Sequence, residues 1–138
     1  MRVLGLDLGS RRIGVAISDS SGTVATPHAV IERSGDESVD RTTIATLIGS
    51  LGVERVVVGL PLSLDGTLGP AARAAQAEVD ALSAVLSVPV VTHDERLTTV
   101  TAERALTSQK VRARERRRVV DKVAAAVMLQ SWLDSARG

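Results

Sequence analysis

The N-terminal residues contain two apolar segments so close together that they predict a β-hairpin at the start of the chain. Residues 2–8 are nearly all apolar, as in a strand that is buried on both faces. Residues 12–17 carry branched aliphatic side chains at every second position, which is typical of a second strand. Asp7 is the exception, since aspartate is depleted in strands and an ionised carboxylate among aliphatic side chains needs a partner. We therefore expect Asp7 either to form a structural ion pair or to hold a cation for chemistry.

The remaining chain alternates predicted strands and helices, which favours an α/β fold. A third strand, interrupted by Pro27, is predicted to lie at a sheet edge, because proline cannot donate a ladder hydrogen bond. Strand-helix-strand units connect by right-handed crossovers, so the order βββαβαβαα predicts a mixed five-stranded sheet with helices on both faces, the ribonuclease H-like arrangement. The predicted strands after the hairpin are 23–31, 55–60 and 88–92, and the predicted helices are 40–51, 70–86, 98–106 and 117–136, with a basic loop at 107–115.

Composition limits the class of protein. The 138 residues are enough for a single domain, 1–138, and 44% of them are hydrophobic, so the chain can bury a core. The absence of cysteine excludes disulfides, zinc thiolate sites and cysteine nucleophiles. With one Trp and no Phe or Tyr, any nucleic-acid contact must rely on charge and backbone amides rather than on base stacking. No signal peptide or membrane-spanning apolar run is recognisable, and we expect a soluble cytoplasmic protein with no membrane association.

Acidic residues from three parts of the chain are predicted to converge at one edge of the sheet. Asp7 lies near the end of the first strand, and Asp121 lies near the start of the last helix. Asp94 and Glu95 follow the last predicted strand, so these carboxylates come close together if that strand lies parallel beside the first. Clustered carboxylates repel one another unless a cation lies between them, and oxygen ligands suit Mg²⁺. Each acid also has a structural alternative, an ion pair for Asp7 or Glu95 and a solvated or dipole-stabilised carboxylate for Asp121.

Basic residues flank these acids. The turn after Asp7, Gly9-Ser10-Arg11-Arg12, offers backbone amides, a hydroxyl and two guanidinium groups, which suit phosphate, although an ordinary hairpin turn fits equally well. The segment 110–122 carries seven basic residues against two acidic ones, whereas the whole chain has a net charge of only +1. This segment is predicted to attract a polyanion, and the alternative is a solvated charged face.

Four segments together resemble the YqgF, or RuvX-like, family of bacterial proteins, which are described as Holliday-junction-resolvase-like proteins or as nucleases of the 16S ribosomal RNA precursor. The segments are GLDLGSRRIGVAISD at 5–19, VVGLPLSLDGT at 57–67, HDERLTT at 93–99 and VDKVAAAVMLQSWL at 120–133. They follow the family's order and spacing from end to end. As a set they are far more specific than the lone Asp-x-Gly that actin-like ATPases share.

The resemblance implies a ribonuclease H-like nuclease that uses Mg²⁺ or Mn²⁺, as one or two ions, and matures the 5′ end of the small-subunit ribosomal RNA precursor. It assigns metal binding and catalysis to Asp7, Glu95 and Asp121, with Asp94 as the alternative to Glu95. The more distant RuvC-type resolvases tend to have a further acid on the last helix, where this chain has Ala124. The residues expected to bind the substrate are Ser10, Arg11, Arg12, Arg96, Lys110, Arg112 and Arg114.

Four functions are compatible with these features. The favoured one is a metal-dependent endonuclease that acts on structured RNA. A resolvase of branched DNA would use the same chemistry but needs two symmetric cuts and hence a dimer, so the chain is expected to be a monomer or a homodimer. A nucleotide-dependent switch is disfavoured, because actin-like ATPases combine two such domains and this chain has no second Asp-x-Gly loop. The fourth is a non-catalytic RNA-binding factor.

Overall fold

The computed structural model describes residues 1–62, 65–94 and 113–137. Within these ranges the chain forms five strands and three helices. The strands are β1 (Val3–Leu8), β2 (Arg12–Ser18), β3 (Ala25–Glu32), β4 (Arg55–Leu60) and β5 (Val90–Asp94), and the helices are α1 (Glu37–Leu51), α2 (Pro70–Val85) and α3 (Ala113–Arg137). None of these helices combines the length and the apolarity that crossing a bilayer requires. The helix predicted at 98–106 lies outside the described residues.

Two helices begin earlier than predicted, each for a local reason. Helix α1 begins at Glu37 rather than at residue 40, because the Asp36 carboxylate accepts hydrogen bonds from backbone N–H groups of the first turn. Helix α3 begins at Ala113 rather than at residue 117, so the loop predicted at 107–115 is wrong for its last three residues. Those three residues are Ala, Arg and Glu, which are strong helix formers and supply no glycine or proline to stop the helix.

The described strands form a mixed sheet in the order β3-β2-β1-β4-β5. Strand β2 is antiparallel to β1 and β3, whereas β1, β4 and β5 are parallel. The predicted five-stranded mixed sheet is confirmed, and so is the edge position of β3, which contains Pro27. The condition set for Asp94 and Glu95 to come close to Asp7 is not met, because β4 lies between the first and the last strand. In the interior strand β4, Val56, Val57 and Val58 are fully buried, whereas every residue of the edge strand β5 keeps some exposure.

Helices cover both faces of the sheet, as predicted. Helices α1 and α2 cover one face, and α3 covers the other. The first core includes Leu4, Leu6, Ile44, Ile48, Val79 and Leu82. The second core includes Val3, Val57, Ala125, Met128, Leu129 and Leu133. Because consecutive strand residues point to opposite faces, the odd-numbered residues of β1, Asp7 among them, face α3.

Candidate active site

Asp7 lies on the α3 face of the sheet, one residue before the end of β1. On the same face of this strand, Val3 belongs to the α3 core, and a Cβ built on Gly5 would lie 2.9 Å from the Cβ of Leu129. Asp7 is half-buried and pairs with Gly14 of β2. Asp7 therefore occupies the predicted position, on a central strand and near its carboxyl end.

Helix α3 lies directly on the sheet next to Asp7 because the paired residue in β2 is a glycine. A Cβ built on Gly14 would lie only 1.9 Å from the backbone oxygen of Asp121 and 3.2 Å from the backbone nitrogen of Lys122. No side chain can be accommodated at the first of these distances, so any other residue at this position would push α3 away. The Cα atoms of paired residues in antiparallel strands are about 4.5–5.5 Å apart. Gly14 therefore brings the backbone of Asp121 to the immediate neighbourhood of Asp7.

The sequence prediction did not include Gly14. A signal was present, since a glycine inside an otherwise aliphatic strand often marks the close approach of another backbone. The small residues of α3 also allow a close approach, since Ala125 is fully buried. The closest contact, however, involves the glycine of the sheet.

Asp121 forms an ion pair with Arg12, a residue predicted to bind phosphate. The Nε of Arg12 donates a hydrogen bond of 2.7 Å to Oδ2 of Asp121, and each side chain keeps 24% of its surface exposed. This hydrogen bond raises the pKa of Arg12 above its ordinary value. The guanidinium group is thus held beside Asp121, at the edge of the proposed site, and remains accessible from solvent.

Asp121 does not lie near the start of the last helix, where it was expected. Because α3 begins at Ala113, Asp121 lies about two turns into the helix. The helix dipole acts mainly within the first turn, so dipole stabilisation does not explain this carboxylate. Its contacts are Arg12 and the close packing of its backbone on Gly14.

The turn between β1 and β2 is fixed by hydrogen bonds from its own backbone and from Arg33. The amide of Gly9 donates to the carbonyl oxygens of Asp7 and Arg12, so it is not available to a phosphate, contrary to the prediction for the turn amides. The Arg33 Nε donates to the carbonyl oxygen of Gly9 at 2.7 Å, and the Arg33 amide donates to that of Arg11 at 2.9 Å. These contacts fix the backbone that carries two exposed residues predicted to bind substrate, Ser10 and Arg11.

Arg33 also ties this turn to α2. Its two terminal nitrogens donate to both carboxylate oxygens of Glu78, at 3.1 and 2.9 Å. The turn, Arg33 and Glu78 border an open groove of about 740 Å³, which also contains Glu32, Glu37 and Asp40. Because acidic side chains outnumber basic ones there, the groove does not favour phosphate.

A histidine of β5 shares the α3 face with Asp7. Gly59 of β4 pairs with His93 of β5, and Asp7 and Gly59 directly follow the last aligned pair of β1 and β4, so the three residues form a row across this face. The Nε2 of His93 lies 3.0 Å from Oγ of Ser131 in α3. Burial lowers the pKa of His93 because it desolvates the imidazolium. The contact of His93 with α3 agrees with a structural position for this residue.

Asp94, the alternative to Glu95 as a metal ligand, lies on the other face of the sheet. It is the last residue of β5 and pairs with Leu60, which packs against α2. Since His93 faces α3, the alternation of a strand directs Asp94 away from that helix and from Asp7.

Other predicted site residues lie in the part of the chain that the structure does not describe. These are Glu95, Arg96, Lys110 and Arg112, whereas Arg114 lies in the first turn of α3. Within 1–62, 65–94 and 113–137, no group of three or more His, Cys, Asp or Glu side chains is arranged to hold a metal ion. Of the three predicted carboxylates, Asp7 and Asp121 lie in described residues, and the backbone of Asp121 packs on Gly14, the strand partner of Asp7.

Comparison with known proteins gives one family over nearly the whole chain. The model described as RuvX, Holliday junction resolvase, matches residues 1–135. A protein of Desulforudis audaxviator with the name "Putative pre-16S rRNA nuclease" is 47% identical over 137 residues, which cover 99% of this chain and 96% of the relative. Proteins of the same name from Geobacillus kaustophilus and Chloroflexus aggregans are 46% and 48% identical, over 99% and 98% of this chain and 100% and 94% of the relatives.

Solved structures of RuvC share the fold. T. thermophilus RuvC in complex with a Holliday junction substrate has a TM-score of 0.60 at 17% identity, covering 100% of this chain and 97% of that chain. Another Thermus thermophilus RuvC structure has a TM-score of 0.57 at 16% identity, with the same coverage. The predicted ribonuclease H-like fold is thereby confirmed. With a family match over residues 1–135 and relatives at 46–48% identity, this chain belongs to the RuvX family.

Proposed function

We propose that this chain is a divalent-metal-dependent endonuclease that processes the 5′ end of the 16S ribosomal RNA precursor. The observation that carries the proposal is the packing of α3 on Gly14, which brings the backbone of Asp121 beside the strand partner of Asp7. Two acidic residues from opposite ends of the chain thus come from neighbouring positions of β1 and α3, on the same face of the sheet. A structural role alone does not require this arrangement.

The residues present suit a Mg²⁺ or Mn²⁺ ion. Asp7 and Asp121 supply carboxylate oxygens, which are the ligands that these hard cations prefer. We propose Glu95 as the third ligand, because the family resemblance offers Glu95 or Asp94 and the alternation of β5 directs Asp94 away from Asp7. When bound, one or two such ions would polarise the scissile phosphate and lower the pKa of an attacking water.

The basic residues would hold the RNA backbone during the reaction. Arg12 lies beside Asp121, and the exposed Ser10 and Arg11 lie on a turn whose backbone is fixed by hydrogen bonds. Guanidinium groups bind phosphate oxygens in a bidentate manner and neutralise the charge that increases on them in the transition state. The further residues proposed for this role are Arg96, Lys110, Arg112 and Arg114. Water adds to phosphorus, the bond to the 3′ oxygen breaks, and the products carry a 3′-hydroxyl and a 5′-phosphate.

The names of the relatives favour RNA as the substrate. Three relatives at 46–48% identity are named as pre-16S rRNA nucleases and align with this chain over almost their entire lengths. The second candidate is a resolvase of branched DNA. It is supported by the description of the family model and by the fold shared with RuvC, which has been solved in complex with a Holliday junction substrate.

The experiment that separates the two candidates compares their substrates under one set of conditions. The purified chain is incubated with an RNA transcript that spans the 5′ end of the precursor and with a four-way DNA junction, each with Mg²⁺, with Mn²⁺ and with EDTA. We expect metal-dependent cleavage of the RNA and none of the junction. Symmetric cleavage of the junction, together with a dimer in light scattering, would favour the resolvase. Cleavage of neither substrate in either metal would contradict the proposed activity.

A further inference from the structure

Arg12 and a metal ion would compete for the same carboxylate. Asp121 is a proposed metal ligand, yet its Oδ2 accepts a charge-assisted hydrogen bond of 2.7 Å from Arg12. A divalent cation at this carboxylate would lie within a few ångströms of the guanidinium and repel it. The ion pair between Arg12 and Asp121 is therefore not the arrangement that a metal ion would favour.

The position of Arg12 allows its side chain to move. Its backbone is fixed within β2, where it pairs with Glu32 of β3, whereas about a quarter of its side chain is exposed. Glu32 is exposed, and its negative charge acts on Arg12. A guanidinium that leaves Asp121 therefore remains next to a second carboxylate and close to the proposed phosphate site. No change of the sheet is needed for this movement.

We propose that Arg12 is an exchangeable counter-ion of Asp121, which neutralises this carboxylate in the metal-free protein and leaves it when a divalent cation enters. Entry of the metal then releases a guanidinium at the position where the RNA phosphate would bind. This links metal binding to phosphate binding through a single side chain. The proposal rests on the proposed function, since it requires Asp121 to be a metal ligand.

The affinity for Mn²⁺ distinguishes an exchangeable counter-ion from an ordinary positioning residue. Titration calorimetry of Mn²⁺ into the RNA-free protein should show about three- to tenfold tighter binding for Arg12→Gln than for wild type, because the competing cation is gone. A residue that merely orients Asp121 predicts the opposite, namely weaker binding. Unchanged or weaker binding in Arg12→Gln would overturn the proposal.

Two controls separate the exchange from a general effect of charge. Arg11→Gln removes the same charge from the neighbouring residue, which is exposed, and it should change Mn²⁺ affinity by less than about twofold. In an Asp121→Asn background the effect of Arg12→Gln should disappear, because Arg12 acts through that carboxylate. Equal tightening in Arg11→Gln, or a full effect of Arg12→Gln without Asp121, would contradict the proposal.

A second measurement needs no variant. In the NMR spectrum of the wild type, the Nε–H of Arg12 should be protected from exchange by its hydrogen bond, and Mg²⁺ should shift this signal and remove the protection. An unchanged signal at saturating Mg²⁺ would show that the ion pair persists, which contradicts the release of Arg12 by the metal. The proposed nuclease activity would not be contradicted by that result. If the wild type binds no Mn²⁺ and cleaves no RNA, both the exchange and the proposed function fail.

Discussion

Gly14 is the residue on which the geometry of the candidate site depends. Its missing side chain lets the backbone of Asp121 rest on β2, beside the strand that carries Asp7. Asp7 could be selected from the sequence as a candidate site residue, because a carboxylate in an aliphatic strand is unusual. Gly14 could not be assigned in the same way, since a glycine at this position fits an ordinary hairpin strand until the helix that covers it is known.

Replacement of Gly14 by alanine should damage both stability and activity. The added Cβ would overlap the backbone of Asp121, so α3 must shift. We expect a loss of about 1–3 kcal/mol in the free energy of unfolding and a fall in cleavage of roughly a hundredfold from the displaced carboxylate. Urea unfolding and single-turnover cleavage measure the two effects.

Gly49→Ala is the matched control, because no atom lies within 4 Å of a Cβ built on this residue of α1. This substitution should stabilise the protein by about 0.5–1 kcal/mol, as alanine favours a helix interior over glycine. It should leave cleavage unchanged. If Gly14→Ala behaves like this control, the close approach of α3 to β2 is wrong.

At the scale of elements, the turn between β1 and β2 is held in place by a side chain from the end of β3. Arg33 connects Gly9 of the turn to Glu78 of α2. The sequence predicted the turn and the helix, but not this connection, because charged pairs between distant segments leave no periodic pattern. The early start of α3 was likewise missed, since the arginine-rich segment before Asp121 reads both as a charged loop and as a helix.

Removal of the hydrogen bonds of Arg33 should lower the free energy of unfolding more than removal of an exposed ion pair does. For Arg33→Gln we expect the free energy of unfolding to fall by about 1–3 kcal/mol, because three hydrogen bonds of a largely buried guanidinium are removed. For Arg41→Gln, which breaks a pair at 3.8 Å with the exposed Glu37, the loss should not exceed about 0.5 kcal/mol. Chemical unfolding of both variants measures the two free energies. Equal losses would show that the hydrogen bonds of Arg33 contribute no more to stability than the exposed pair of Arg41 and Glu37 does.

The start of α1 supplies a pH-dependent prediction. Hydrogen bonds from Ser38, together with a backbone N–H of Val39, lower the pKa of Asp36 below its ordinary value of 3.8. A carboxylate with a lowered pKa in the folded state stabilises the protein above the unfolded pKa, and this contribution is lost as the pH falls through the folded value. The stability difference between wild type and Asp36→Asn should therefore be largest near neutral pH and shrink below pH ~4. Thermal melts from pH 7 to pH 2.5 measure it, and a difference that is constant with pH would refute the role of the charge.

At the scale of the whole molecule, the alternation of strands and helices was sufficient to predict the mixed sheet and the placement of helices on both faces. The order of the last two strands was not predictable by the same reasoning, because β4 and β5 are both short and both contain consecutive valines. The decisive difference is the polar end of β5, Thr-His-Asp, which suits an edge, whereas β4 stays apolar after its first residue. The family prediction succeeded because its four segments span the entire chain.

We propose that carboxylates at the junction of β1 and α3 support metal-dependent cleavage of RNA. The most direct test is single-turnover cleavage of the precursor transcript in Mg²⁺ by wild type, by Asp7→Asn and by Asp134→Asn, an exposed control on α3. We predict that Asp7→Asn lowers the rate by about a hundredfold or more, with RNA affinity and melting temperature near those of wild type, and that Asp134→Asn cleaves normally. Cleavage by Asp7→Asn at the wild-type rate would contradict a catalytic role of these carboxylates.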